Sequence, residues 1–493
     1  MSVSRNTTYN LAGAAVPVVL SLVTVPIYLK LVGPERYGIL AIAWLLLGYF
    51  GLFDLGLGRS TSFRIASLRE APPAARADTF WAALSINIGM GVAGGMLLWG
   101  AAGYFFEHVF KVDEALRSEI VASVPLLACA VPIATLTGTL AGAMQGREKF
   151  LETNLVSLIS TTLFQILPLA VAYWLGPHIL PLLLAAVAAR LAAIVVLACR
   201  CYVEFCNGHP ARLNGSEIPL LLKYGGWANA TSLLGPLLVM VDRFAIGAVL
   251  GAAAVTIYTV PFQLAQRIQI LPGALTNALF PRLSASSPDE QRGLAHRAAR
   301  TLVAIMSLPV LGAIYMIGPF LELWVGHSVA EQSAPIGRIV LIGFWLNSFA
   351  LISFIRLQAS GRPDLVTKSI LVQIPFYITA LYFALHNFGY LGCAAMFLLR
   401  CAVDYIILSW LADRRVLDWK SLIIFFIILS FGAYCAQNLT VTDWRWWFSL
   451  FGLTAILAAG GWTILPREFR GRLMMTRPAR IAVRVLAAGR RRL

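Results

Sequence analysis

Charge is what this chain has least of. Only 13% of its 493 residues are charged, against roughly 25% in soluble domains, while 59% are hydrophobic and the mean hydropathy is +0.77. A soluble globular protein is thereby excluded. Acids are scarcer still, with 23 Asp and Glu against 39 Lys and Arg. In a soluble chain the resulting +16 would suggest nucleic acid; here it reports topology, and no nucleic-acid partner is expected. There is no G-x-x-x-x-G-K-[ST] phosphate loop, so ATP is not spent by that route. Neither H-E-x-x-H nor a cysteine–histidine cluster occurs, so no metal and no cofactor are expected. The seven cysteines read as packing residues. The N-terminus has no cleavable signal, its first apolar run being too long for an h-region.

What is present is length and apolarity. A spanning helix needs about 20 mostly apolar residues, and about fourteen such stretches follow one another from 8–31 to 444–464. The loops between them reach about twenty residues near 63–79, 201–222 and 281–298, too short for a soluble domain. The predicted fold class is an all-α polytopic membrane protein. Lys and Arg outside the span interiors number 28 on the N-terminus, every second loop and the tail, against 6 on the alternate loops. That bias predicts both termini in the cytoplasm.

Five arginines, Arg59, Arg190, Arg243, Arg267 and Arg400, fall inside the predicted spans. Each costs about 2.5–3.5 kcal/mol at a bilayer centre on insertion scales. Interior acids number only three, Asp54, Asp242 and Asp404. A cationic interior is most simply a conduit for something anionic. Gln263, Gln266 and Arg267 share one helix face, and Asn277 returns to within about 20° of Gln266 at 100° per residue, giving a polar stripe. Arg190 has no acid deep in its own helix and is either a substrate contact or a long snorkel. Arg59 lies close enough to an inner end to snorkel. Arg400 and Asp404 are four apart, a spacing that suits a pair. Asp242 and Arg243 are about 100° apart and should find different partners. Each Asp is either a salt-bridge partner or a site of proton or sodium coupling.

A shift of 218 residues lays Leu31-Val32-Gly33 on Val249-Leu250-Gly251 and Arg64 on Arg282. Six spans separate the members of each pair, which suggests two parallel repeats. Residues 1–205 and 206–415 would then be two six-helix lobes related by a pseudo-two-fold, 416–465 two extra spans and 466–493 a basic cytoplasmic tail held by membrane lipids. Gly91 with Gly95, and Gly138, Gly142 with Gly146, form small-residue ridges suited to close helix packing or to sliding.

Asn10, Pro26, Leu31, Gly33, Tyr37-Gly38 and Asp54-Leu55-Gly56-Leu57, with Gln145-Gly146-Arg147, Pro281-Arg282-Leu283-Ser284 and Gly361-Arg362, resemble the Wzx-like polysaccharide flippases of the multidrug/oligosaccharidyl-lipid/polysaccharide exporter superfamily. The resemblance implies two six-helix lobes around a central cavity and no enzymatic activity. It implies movement of an undecaprenyl-diphosphate-linked oligosaccharide from the inner to the outer leaflet of a bacterial plasma membrane, for surface or exopolysaccharide synthesis. Other biosynthesis proteins are expected as neighbours. A lipid II flippase or a cation-coupled drug exporter of the same superfamily is the alternative. A membrane-bound polymerase or glycosyltransferase is disfavoured for want of a large extramembrane loop.

Overall fold

A computed structural model describes residues 3–49, 56–206, 217–223, 226–412, 419–466 and 470. The interior candidate Asp54 and nearly all of the basic tail lie outside the described residues. Among the described residues every regular element is helical. In chain order they are α1 (Val3–Tyr49), α2 (Leu57–Ser67), α3 (Pro73–Tyr104), α4 (Glu114–Gly146), α5 (Phe150–Leu175), α6 (Ile179–Cys201) and α7 (Glu217–Lys223). Then come α8 (Gly226–Val249), α9 (Ala252–Gln266), α10 (Ile270–Ser284), α11 (Pro288–Val325), α12 (His327–Ala359), α13 (Pro363–Ala412), α14 (Trp419–Asn438) and α15 (Trp444–Ile464). Ten helical stretches among the described residues are long and apolar enough to cross a membrane. The chain is an all-α multi-pass membrane protein.

Two of the long helices each join two predicted spans end to end. α1 breaks at Gly33 (φ 77) and α13 at Gly389 (φ 59), backbone positions that only glycine holds without strain. Gly251, between α8 and α9, also has positive φ (93). The two glycines aligned by the 218-residue shift thus share a left-handed turn between successive helices.

The chain groups into two compact units, one of Met1–Thr259 with Ile370–Tyr390, the other of Val260–Ser369 with Leu391–Leu493. In the first, small residues bring helix backbones together. A Cβ on Gly91 would lie 2.8 Å from Pro132 Cα, and one on Gly95 2.8 Å from the Ala128 carbonyl, so α3 rests directly on α4. A Cβ on Gly142 would collide with the Gly58 carbonyl, and one on Gly146 would come within 2.7 Å of the Ser62 carbonyl, which seats α2 on the C-terminal part of α4. Close packing, one of the two roles read from these ridges, is what these positions do. Ile65, Phe80, Leu140, Met144, Leu197 and Phe205 close a buried cluster beneath them.

The second unit is organised by α12, whose apolar window is 78% buried against 11% for α5. A helix buried on nearly all sides faces protein, whereas α5 offers most of its surface to lipid. Phe262, Phe344 and Phe397 stack edge to face with centroids 5.0–5.1 Å apart, tying α9, α12 and α13. α14 and α15 lean on α11: Tyr315 packs on Trp446 and donates to Ser449 Oγ at 2.8 Å, while a Cβ on Gly432 would meet Leu311 Cδ1 at 2.6 Å.

Candidate functional site

Arg190 is the twelfth of the 23 residues of α6, so its Cα sits at mid-helix, about 17 Å from either end. Its side chain is half-buried, and its guanidinium lies over the ring of Phe164 on α5, 4.8 Å from the centroid. Phe164 in turn packs against Trp44, which packs against Tyr28 and Tyr37. Among the described residues no carboxylate pairs with Arg190, and its Nε is buried without a hydrogen-bond partner. A cation–π contact returns about 0.5–2 kcal/mol, less than the about 2.5–3.5 kcal/mol that insertion costs. Water or an anion has to supply the balance.

Asp242 and Arg243 are both buried in α8. Asp242 accepts hydrogen bonds from the Tyr258 hydroxyl on α9 at 3.1 Å and from the Tyr377 hydroxyl on α13 at 2.5 Å. The Arg243 guanidinium lies over the ring of the same Tyr258, 5.5 Å from its centroid. Asp242 has Tyr377 to itself, and the two neighbours share Tyr258, its polar end on the acid and its π-face on the base. Such a contact is invisible in a linear sequence, where Tyr258 and Tyr377 look like ordinary span residues.

Arg400 is buried on α13 with its guanidinium 5.3 Å from the centroid of Phe397, a member of the phenylalanine triad. Asp404 follows one turn later and is half-buried. Arg59 is exposed on α2. Arg267 is exposed too, and the stripe built on it needs correction. Residues Arg267–Gln269 form a 3₁₀ turn between α9 and α10. Three residues advancing 120° rather than 100° rotate Asn277 by about a further 60° away from Gln266. Gln269 instead turns inward and donates to the Phe344 carbonyl at 3.0 Å and to Asn347 Oδ1 at 3.1 Å.

Two buried arginines escaped the sequence reading. Arg338 and Arg356, two of the basic residues that the 28-to-6 count places outside the span interiors, both lie inside α12 and are only 7% and 6% exposed. The 33 residues of α12 extend about 50 Å, well beyond a 30 Å hydrocarbon core, so positions assigned to loops are still walled by helices. Arg338 donates from Nη2 to the Ala436 carbonyl of α14 at 2.9 Å. Asn87 is a third omission, fully buried on α3 and donating to Thr139 Oγ1 of α4 at 2.6 Å.

Not every arginine is available to a ligand. Arg64, at the end of α2, grips Glu217 with Nε to Oε2 at 2.9 Å and Nη2 to Oε1 at 2.7 Å, and Thr79 adds a 3.0 Å bond to Oε2. The Arg64 guanidinium holds the Glu217 carboxyl below the usual glutamate range. Glu217 opens α7, so this clamp pins α7 to α2 and α3.

Residues 3–287, more than half of the chain, match a family described as polysaccharide biosynthesis protein. The chain belongs to that family. Its relatives include a Shigella flexneri protein named "Putative O-antigen transporter", 28% identical over 423 residues that cover 84% of this chain and 98% of the relative. Among solved structures the chain superposes on the lipid II flippase MurJ in an inward closed conformation with a TM-score of 0.71, 12% identity, and 94% and 99% of the two chains covered. An inward-facing multidrug resistance MATE transporter of the MOP superfamily gives 0.70, 14% identity and 84% and 99% coverage. At such identities these two establish the fold alone. Family and fold together make the chain a multi-pass membrane protein of polysaccharide biosynthesis with the architecture that those two solved transporters share.

Proposed function

We propose that the chain is a flippase carrying an undecaprenyl-diphosphate-linked oligosaccharide from the inner to the outer leaflet by alternating access, with both termini in the cytoplasm of a bacterial inner membrane. One observation carries the reading: Arg190 sits at mid-span with an aromatic face for support and no carboxylate among the described residues. A diphosphate entering lipid needs cations, and planar guanidinium groups suit phosphate oxygens. Arg243 and Arg400, buried and likewise backed by rings, are the further candidates. Arg267 and Arg59, both exposed, are secondary ones. Asp242, Asp404 and Asp54 are candidates for ion coupling. The two lobes 1–205 and 206–415, with 416–465 appended, belong to the same proposal. A transporter of cationic drugs would be served by an excess of interior acids, the opposite of this chain.

Arg190→Ala should abolish translocation while folded protein persists in the membrane, and lipid-linked repeat units should accumulate on the inner leaflet. Arg190→Lys, which keeps the charge but loses the planar fork, should retain part of the activity. Wild-type transport by the alanine variant would remove Arg190 from the mechanism.

A further inference from the structure

Four connections of the first unit each follow an odd-numbered predicted span, at Gly33, between α3 and α4, at Gly251 and at Gly389. They therefore share one end, which the basic residues assign to the outside. There the start of α9 meets the bend of α1. A Cβ on Gly38 would collide with the Ala252 carbonyl, and Thr256 Oγ1 donates to the Pro34 carbonyl at 2.5 Å. The segment between α3 and α4 is fastened to the same α8–α9 turn. Phe105–Val109 form a π-turn, and Phe105 meets Phe244 of α8 edge to face with centroids 5.0 Å apart. The ring of Phe110 fills a notch at Gly247 where a Cβ would collide with it, and Phe110 is 1% exposed. Lys111 donates from its backbone N–H to the Gly247 carbonyl at 3.1 Å and from Nζ to the Val249 carbonyl at 2.8 Å. Val249 ends α8, where unpaired carbonyls carry partial negative charge and a lysine is favoured.

We propose that Phe110 and Lys111 are a latch that holds the outer end shut and unseats once in each transport cycle. Its place in a cycle rests on the flippase reading, in which residues 105–111 belong to the first lobe and 247–251 to the second. The contact is built to part. Both Lys111 bonds go to carbonyls, and a hydrogen bond of that kind exchanges for one to water at small net cost. Phe110 can leave its notch whole, because the position it covers on α8 is a glycine with no side chain to repack.

A buried thiol reports the opening. Thr256 is fully buried, so Thr256→Cys in lipid nanodiscs should react with a maleimide only while the latch is open, read against the same chain without that cysteine. Gly247→Ala drives a methyl into the Phe110 ring and should speed the reaction at least about five-fold, the lower bound for overpacking. Lys111→Ala should speed it about two- to five-fold, the value of a cation at a helix end, and it decides the matter if Gly247→Ala does not fold. Gly103→Ala, whose Cβ meets open space, should leave the rate unchanged. Equal rates in Gly247→Ala and Gly103→Ala would overturn the latch. In the Phe110→Cys, Gly247→Cys double variant, oxidation to a disulfide should stop movement of lipid-linked oligosaccharide until the bridge is reduced. Full transport with that bridge in place would overturn the latch as well. A wild-type chain that moves no such lipid would remove the flippase reading instead, with the labelling rates still deciding the latch.

Discussion

Glu217 shows how much one side chain can govern here. Its carboxylate takes three hydrogen bonds, two from a single guanidinium. Bonds to charged groups contribute about 1.5–3 kcal/mol each when a partner is lost. The folded-state pKa is depressed, so the stabilisation is complete above the unfolded value and disappears as pH falls through the folded one. The protection factors of the α7 amides should therefore be high at neutral pH and fall once the medium drops below the ordinary glutamate range. Glu217→Gln should give fast exchange at neutral pH and abolish that dependence. Persistent protection in the variant would show that the clamp does not hold the segment. The position gave no signal in the sequence, where Glu217 reads as one more loop acid. Arg190 was legible because an arginine amid leucines and alanines has no local explanation. Its support by Phe164 was not, since the two lie on different helices.

At the level of helices, the small-residue ridges carry the sharpest expectation. Gly91 and Gly89 sit two residues apart on α3, yet a Cβ at Gly89 meets nothing within 4 Å while one at Gly91 is driven into Pro132 and Thr135. Gly91→Ala should cost about 1–3 kcal/mol, the usual penalty of overpacking, read as a lower melting midpoint in detergent. Gly89→Ala should be neutral or gain about 1 kcal/mol from helix propensity. Equal effects would place the contact elsewhere. Spans were readable because twenty apolar residues leave few other options. Their ends were not: α12 overruns the bilayer, which is why the 28-to-6 count places Arg338 and Arg356 outside the span interiors. The 3₁₀ turn at Arg267–Gln269 defeated a phase computed for an uninterrupted α-helix.

For the whole molecule, family and fold follow from more than half of the chain matching one family and from superposition on two transporters of the same architecture. Orientation rests on basic residues alone, so it deserves a direct measurement. A reporter that matures only in the cytoplasm should be active when fused after Leu493 and silent when inserted after Lys111; the reverse pattern would turn the proposed direction of transport around. The seam joining α2, α3 and α4 bears on how any such cycle proceeds. Where a glycine meets a carbonyl there are no rotamers to exchange and no lubricating methyls, only one register in which the backbones interlock. Those three helices should travel as a single block, leaving the bending to hinges outside it such as the 3₁₀ turn at Arg267–Gln269.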